Sequence, residues 1–400
     1  MAARNSWLEF LPKYSLLRND ERKAQLAKQG RDIFDFGIGD PQEETPAFIR
    51  QTLLNSVSEV SQYPSALGNA EFRQACAHWA QRRFGVALNS STEVISCNGS
   101  KEAIFHIPQV LLNSASERRM MVFPDPGFPV YKGSCLMAGG VGYEITLKPE
   151  KNYVFDPDEI PLELCNKIAA CWVSYPHNPT GAVIARHEVE KIYAWALKYD
   201  IIILSDECYA DMYFPGSAPP ESFLTVAAQH SYKNLLCFYS LSKRSGMTGY
   251  RSGFVAGSAE LISMFAQYRP HAGLGTPLFV QKAAIAAWNE DTHAVHRNTI
   301  FAQKRALLDA FLSKNNFEYL KSQATFYVWI KVPKKYESGE CYVNDLANAT
   351  GIVATPGDAL GCSTANYFRL ALVPTPQKIE YCLELWQKAI DAGIFKGEHE

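Results

Sequence analysis

The 400-residue sequence lacks an excess of charge of either sign, because 39 lysines and arginines nearly balance 41 aspartates and glutamates. The formal net charge of −2 gives no electrostatic basis for binding nucleic acid or an anionic membrane surface. No apolar run approaches the roughly 20 residues that a membrane-spanning helix needs, and residues 1–7 lack the apolar core of a signal peptide. These absences predict a cytoplasmic protein that binds neither nucleic acid nor membrane.

None of the ten cysteines belongs to a C-x-x-C pair, and several lie inside apolar runs. This distribution predicts reduced, buried thiols and excludes a disulfide framework or a zinc site, so no metal site is expected. The sequence also lacks internal repeats, low-complexity tracts and linkers rich in Pro, Gly and Ser. The hydrophobic fraction of 47% is that of an ordinary globular protein.

Between about residues 95 and 260, short apolar runs alternate with helical patterns. The runs are residues 120–123, 169–174, 201–205, 235–240 and 253–257. They are short and continuous, as in strands that are covered on both faces, and residues 189–197 carry an apolar face with a helical period. This order predicts an α/β fold with a mainly parallel central sheet between helices. In such folds, ligands bind at the carboxyl ends of the strands.

The last 110 or so residues have a different pattern, which predicts a smaller α+β unit. Its predicted elements are a helix over 293–313, strands over 325–331 and 367–372, and a helix over 375–392. The strand-like residues 33–36 indicate that the start of the chain packs against this unit. We therefore predict a large domain over 46–288 and a small domain formed by 1–45 and 289–400.

Residues 240–244, S-L-S-K-R, place a lysine in a hydroxyl-rich turn directly after an apolar run, and Arg251 follows eight positions after Lys243. A lysine that forms a Schiff base needs a sheltered site that favours its neutral amine. Two serines and an arginine beside it can hold a phosphate. An aldehyde carried on a phosphate is pyridoxal phosphate, which proteins hold through a lysine. Because S-x-S-K is a short pattern, an ordinary surface lysine remains an alternative at this point.

Polar residues also follow two other apolar runs. Asp206 ends one of them, and a buried carboxylate there is costly unless it is paired. The protonated ring nitrogen of pyridoxal phosphate is a suitable partner. Tyr209, and Asn178 between two prolines, can donate to the ring oxygen. The alternatives are a helix N-cap for Asp206 and a turn without function for residues 175–181.

Three further positions fit the same ligand. Gly99, Ser100 and Lys101 open a predicted helix, whose first N–H groups can bind an anion. Phe128, in a rigid turn after a strand, can stack on a planar ring. Arg369 lies in an otherwise apolar strand and needs an anionic partner such as a carboxylate. A capped helix, a core or lid aromatic, and a structural ion pair are the respective alternatives.

Taken together, these motifs resemble those of the class I/II aminotransferases of pyridoxal-phosphate fold type I. They occur from about residue 32 onward in the order N-G-S-K-E, P-G-F-P, N-P-T-G, D-E-x-Y, S-x-S-K, R-x-G-F and F-R-L. The resemblance implies a transaminase that moves an amino group between an amino acid and a 2-oxo acid such as 2-oxoglutarate. It also implies a large α/β domain with a small α+β domain.

The resemblance implies a role for each motif residue. Lys243 is the catalytic residue, which holds the cofactor as a Schiff base and moves the substrate Cα proton. Asp206 holds the ring nitrogen, Asn178 and Tyr209 hold the ring oxygen, and Phe128 stacks on the ring.

The resemblance also implies phosphate and carboxylate ligands. The phosphate ligands are Gly99, Ser100, Lys101, Ser240 and Arg251. The substrate α-carboxylate is bound by Arg369, Asn178 and Gly39. Tyr63 resembles a tyrosine that reaches the phosphate of the partner subunit, which implies a homodimer with shared active sites.

Residues 242–257 and 268–273 resemble those of N-succinyl-LL-diaminopimelate aminotransferases, which act in the synthesis of lysine and peptidoglycan precursors. The resemblance implies N-succinyl-LL-diaminopimelate as the amino donor. The distal amide and carboxylate of this substrate need a second polar cluster, for which Arg269 and His271 are the candidates.

Other functions on the same fold remain open. Gly246 and His177 depart from residues common among the relatives, so aspartate, alanine or free LL-diaminopimelate are alternative donors. A pyridoxal-phosphate-dependent C–S lyase is a further alternative. A non-enzymatic regulator would need an added DNA-binding segment, and the residues before Asp32 are not basic enough for one.

Overall fold

The computed structural model describes residues 15–322 and 324–395. The helices are α1 (Ser15–Lys28), α2 (Ala47–Asn55), α3 (Ala70–Phe84), α4 (Ser100–Leu111), α5 (Val130–Met137), α6 (Leu162–Cys165), α7 (Arg186–Lys198), α8 (Phe223–Ala227), α9 (Leu241–Arg244), α10 (Ala259–Tyr268), α11 (Leu278–Asn289), α12 (Thr292–Lys314), α13 (Gly339–Thr350) and α14 (Pro376–Asp391). The strands are β1 (Phe34–Asp35), β2 (Val94–Cys97), β3 (Met120–Asp125), β4 (Val141–Thr146), β5 (Ile168–Ser174), β6 (Ile202–Asp206), β7 (Leu235–Ser240), β8 (Gly253–Gly257), β9 (Tyr327–Lys331), β10 (Ile352–Val353), β11 (Thr355–Pro356) and β12 (Tyr367–Ala371).

A seven-stranded sheet with the order β2-β8-β7-β6-β5-β3-β4 forms the centre of the fold. Strands β3 to β7 run parallel to one another, which confirms the predicted α/β fold with a mainly parallel sheet. Residues 253–257 form a strand as predicted, but this strand, β8, runs antiparallel to both β7 and β2. Only the short helix α9 and a turn link β7 to β8, whereas a parallel strand would need a crossover connection.

This topology gathers several loops at one edge of the sheet. The parallel strands end there at Cys97, Asp125, Ser174, Asp206 and Ser240, and we call this edge the carboxyl edge. Because β8 runs the opposite way, its first residue also lies at this edge, where it pairs with the last residue of β7. The loops that contain the candidate residues therefore start or end at the carboxyl edge.

Separate hydrophobic clusters cover the two faces of this sheet. Successive residues of β6 alternate between them, since Ile203 belongs to one cluster and Leu204 to the other. Helix α7 confirms the helix predicted over 189–197, and its buried side chains pack on the sheet through one face.

A third cluster joins α12, α13 and α14 to the antiparallel sheet β11-β12-β9. Phe34 of β1 pairs with Ile352 of β10, so the start of the described chain packs against this unit as expected. The domain boundaries at residues 46 and 288 stay a prediction, because the third cluster also contains Tyr209 and Met212 of the predicted large domain. Residues 1–14 of the predicted small domain lie outside the described residues.

All ten cysteines are free thiols, and seven of them are buried, in agreement with the sequence pattern. Cys362 is exposed, and Cys208 and Cys341 are partly exposed. Within residues 15–322 and 324–395, no helix combines the length and the apolar character needed to cross a membrane.

Candidate active site

A cavity of about 420 Å³ opens at the carboxyl edge, between the central sheet and the third cluster. It brings together most of the residues that the sequence identified. Those that line it are Gly39, Ser100, Lys101, Phe128, Asn178, Asp206, Tyr209, Ser240, Lys243, Arg251 and Arg369. Lining residues that sequence reasoning missed include Asp40, Cys208, Tyr327 and Leu360.

Lys243 lies on α9, and its Nζ atom donates a hydrogen bond to the main-chain oxygen of Gly39. Burial is the main cause that lowers the pKa of Lys243 to about 8, and the charges of Arg369 and Arg251 act in the same direction. Asp40 and Cys208 oppose this shift. The lowered pKa increases the fraction of neutral, nucleophilic amine near neutral pH, and Schiff-base chemistry requires this form.

Buried ion pairs hold the short helix that carries this lysine. Arg244 Nε lies 2.7 Å from Asp211 Oδ2, and Arg83 Nε lies 2.8 Å from Asp211 Oδ1. Burial alone would raise the pKa of Asp211, but the two arginine charges lower it below its ordinary value. Arg244 also donates to the main-chain oxygen of Ala287 at 2.7 Å. The residue next to Lys243 thus fixes its turn to α11, a role that sequence reasoning missed.

Asp206, the last residue of β6, is a buried carboxylate without an ion-pair partner among the described residues. Its Oδ2 atom accepts a hydrogen bond from Tyr131 at 2.8 Å, and Oδ1 accepts one from the main-chain N–H of Cys208 at 3.3 Å. Burial raises the pKa of Asp206, although these donors partly offset the effect. A cationic group placed in the cavity would stabilise its charged form.

Glycine is required at position 99, which precedes α4. Its φ angle is 78°, and a Cβ atom there would lie 2.9 Å from Arg251 Cζ. The first turn of α4, the hydroxyls of Ser100 and Ser240, and the Arg251 guanidinium together provide the donors that a phosphate binds. Although Gly99 does not line the cavity, its missing side chain lets Arg251 approach the helix.

A buried arginine defines another part of the cavity. Arg369 Nη1 donates to Asn178 Oδ1 at 2.9 Å, and Nη2 donates to the main-chain oxygen of Gly37 at 2.7 Å. Its Nε atom is buried and has no hydrogen-bond partner among the described residues. This guanidinium is therefore held in place with donor capacity to spare, which fits the binding of a carboxylate.

Two aromatic side chains complete the expected set. Phe128 lines the cavity and packs edge-on against Tyr131, with the ring centroids 5.7 Å apart. The hydroxyl of Tyr209 lies 3.1 Å from the hydroxyl of Tyr327. Sequence reasoning missed Tyr327, because an aromatic residue in an apolar strand is most simply explained as core.

Besides Gly99, three expected residues lie outside the cavity. Tyr63 is fully exposed, so its expected contact would need a second subunit. The hypothesis that Arg269 reads the distal end of a substrate is wrong. Its side chain is 0% exposed and lies 2.8 Å from Glu102, with a further hydrogen bond to the main-chain oxygen of Ala66. His271 is exposed at the surface.

These residues fit pyridoxal phosphate by the chemistry of their donors. Lys243 supplies an amine with a lowered pKa, and Asp206 supplies a buried carboxylate in need of a cation. Around them lie an aromatic ring and a set of phosphate donors. The expected ligands that line this one cavity come from positions 39 to 369 of the chain.

Comparisons with known proteins agree with this reading. The family model for aminotransferase class I and II matches residues 31–385. An LL-diaminopimelate aminotransferase of Aquifex aeolicus is 37% identical, covering 93% of this chain and 96% of its own length. A second relative of that name, from Trichormus variabilis, is 36% identical over 97% and 98% of the two chains.

Solved structures show the same similarity. An aminotransferase from Neisseria meningitidis superposes with a TM-score of 0.88 at 31% identity, covering 97% of this chain and 100% of that one. BacF from Bacillus subtilis superposes with a TM-score of 0.90 at 26% identity, covering 97% and 98%. The chain therefore belongs to the class I and II aminotransferases, which are pyridoxal-phosphate-dependent transaminases.

Proposed function

We propose that the protein transfers an amino group from LL-diaminopimelate to 2-oxoglutarate. The observation that carries this choice is similarity along nearly the whole chain to relatives that are named LL-diaminopimelate aminotransferases. The sequence analysis favoured N-succinyl-LL-diaminopimelate and kept free LL-diaminopimelate as an alternative. The names of the relatives favour the free diamino acid. A C–S lyase has no such support.

The cavity residues account for the chemistry in this proposal. Pyridoxal phosphate, when bound, supplies an electron sink for charge that develops at the substrate Cα. Arg369 and Asn178 hold the α-carboxylate, and the Lys243 amine takes the Cα proton and returns it. Asp206 keeps a positive charge at the ring nitrogen, while Tyr209 donates to the ring oxygen.

Asp40 provides a structural reason to favour the free diamino acid. It is exposed, lines the same cavity and forms no ion pair in the described part of the chain. LL-diaminopimelate carries a second ammonium, which this carboxylate can bind. The N-succinyl form has a neutral amide in that place and an added carboxylate, which Asp40 would repel.

Asp40→Asn is expected to lower kcat/KM for LL-diaminopimelate by about 10-fold, the effect of losing one hydrogen bond to a charged group. Glutamate, which lacks a distal ammonium, should be affected much less. The measurement is the ratio of kcat/KM for the two donors in the wild type and the variant. Asp32→Asn, which removes an exposed carboxylate outside the cavity, is the matched control. Equal losses for both donors would show that Asp40 acts on Lys243 instead of the substrate.

The choice of donor itself is tested with the wild-type enzyme. LL-diaminopimelate, its N-succinyl derivative, aspartate and alanine are each supplied with 2-oxoglutarate, and glutamate formation is followed. We expect the largest kcat/KM with LL-diaminopimelate. Preference for any of the other three donors, or absence of glutamate formation with LL-diaminopimelate, would overturn the proposed substrate.

We further propose a homodimer with shared sites. The exposed apolar residues Leu54, Val57 and Val60 lie just before the exposed Tyr63, and a partner would cover them. A second cavity, of about 760 Å³, opens beside Arg251 and shares Thr248, Gly249 and Arg251 with the lining of the first. This opening would admit Tyr63 of the partner subunit to the phosphate site.

A shared site predicts that two inactive variants restore each other. Mixing unfolded and refolded Tyr63→Ala and Lys243→Ala chains in equal amounts should restore about a quarter of wild-type activity, because half the dimers then contain one intact site. The control mixes Asp206→Asn with Lys243→Ala. Both of these residues line the cavity of one chain, so no intact site can form. An active monomer in light scattering, or equal recovery in both mixtures, would refute the shared site.

A further inference from the structure

Tyr327 occupies a central position in the cavity that none of the assigned roles explains. It is the first residue of β9, is 3% exposed, and pairs with Ala371 of the neighbouring strand β12. Arg369 lies two residues from Ala371 and so shares its face of the sheet. The Tyr327 ring extends diagonally to it, and Arg369 Cζ lies 4.2 Å from the ring centroid.

The hydroxyl of the same side chain reaches Tyr209. The two hydroxyl oxygens are 3.1 Å apart, and the rings meet at 69° with centroids 5.7 Å apart. Tyr209 has one hydroxyl hydrogen, and its proposed role commits that hydrogen to the cofactor ring oxygen. Tyr327 must then be the donor in the bond between the two tyrosines.

Two effects of Tyr327 and its neighbour Arg369 strengthen the hydrogen bond that Tyr209 donates. A hydroxyl that accepts a hydrogen bond becomes a better donor, so Tyr327 strengthens the bond that Tyr209 makes. The Arg369 cation over the Tyr327 ring is attracted by the ring and draws electron density away from its hydroxyl. The side chain thus touches the carboxylate-binding end of the cavity with its ring and the cofactor end with its oxygen.

Tyr327 also packs against the backbone at Gly39, which contacts Lys243. A Cβ atom at position 39 would collide with the Tyr327 hydroxyl, so glycine is needed there. The main-chain oxygen of Gly39 accepts the hydrogen bond from Lys243. The contacts of Tyr327 with Arg369, Tyr209 and Gly39 therefore belong to one packed group.

We propose that Tyr327 is a positioning residue that orients Arg369 with its ring and strengthens, with its hydroxyl, the hydrogen bond from Tyr209 to the cofactor. This inference rests on the proposed roles of Tyr209 and Arg369. The two functions of the Tyr327 side chain can be tested separately, because Tyr327→Phe removes only the hydroxyl and Tyr327→Leu removes the ring as well.

The hydroxyl is tested with Tyr327→Phe, Tyr209→Phe and the double variant, each loaded with pyridoxal phosphate. The readouts are the pH midpoint of the visible absorption band and the dissociation constant of pyridoxal phosphate. We expect Tyr327→Phe to move the midpoint in the same direction as Tyr209→Phe, by less. The double variant should match Tyr209→Phe alone, because the effect of Tyr327 passes through Tyr209.

The ring is tested by the KM for 2-oxoglutarate. Tyr327→Phe should leave it within about twofold of wild type, while Tyr327→Leu should raise it about 10-fold through loss of the contact with Arg369. Thermal unfolding of both variants checks that the fold is retained, and Tyr327→Phe keeps the test valid if the leucine variant does not fold.

The possible failures are distinguishable. A midpoint that moves in Tyr209→Phe but not in Tyr327→Phe, or effects that add in the double variant, would overturn the inference alone. A midpoint that does not move in Tyr209→Phe would remove the proposed role of Tyr209, and the inference with it.

Discussion

Lys243→Ala is expected to abolish transamination, with a loss of at least about 10⁴-fold, because the general base and the covalent anchor of the cofactor are removed together. The fold should persist, since α9 is held by Arg244 and Asp211 and not by the lysine. The measurement is glutamate formation together with thermal unfolding. Lys282→Ala, at an exposed lysine on α11, is the matched control and should retain full activity.

The wild type provides a second readout of the same lysine. Borohydride should trap pyridoxal phosphate on Lys243 and on no other lysine. The reaction of pyridoxal phosphate with the cofactor-free protein should become faster as the pH rises through about 8, which is the lowered pKa of Lys243. Only the neutral amine attacks the aldehyde. Near-normal turnover by Lys243→Ala would show that the catalytic lysine has been wrongly assigned.

Asp206→Asn should lower kcat by about 10²-fold or more while much of the cofactor stays bound. The amide keeps the shape of the carboxylate and can still accept the hydrogen bond from Tyr131, but it cannot stabilise a protonated ring nitrogen. Single-turnover rates per bound cofactor separate this effect from simple loss of cofactor. An unchanged rate per bound cofactor would contradict the role assigned to Asp206.

Much of the site follows from the sequence because its residues come directly after apolar runs. Asp206 and Ser240 are the final residues of buried strands, and parallel strands place such residues at the same edge. The periodicity of a strand likewise separates Arg369 from its apolar neighbours. Local pattern and fold topology are sufficient for these positions.

Other features depend on contacts that no local pattern contains. Arg269 looks like a free charge beside a glycine-rich turn, but it is buried against Glu102, 167 positions away. Tyr327 looks like core until its hydroxyl is seen to reach Tyr209, 118 positions away. The direction of β8 could not be predicted either, because an apolar run does not indicate whether its strand is parallel or antiparallel to its neighbours.

The reversal at β8 has a consequence for how this region tolerates change. Because Ser240 pairs with Gly253, the connection between β7 and β8 starts and ends at the same edge of the sheet. This connection contains Lys243 and Arg251 and begins at Ser240, so its length sets the spacing between the amine and two of the proposed phosphate ligands. Adding or deleting a residue there would displace them together, whereas changes of length in loops far from the carboxyl edge leave their spacing intact.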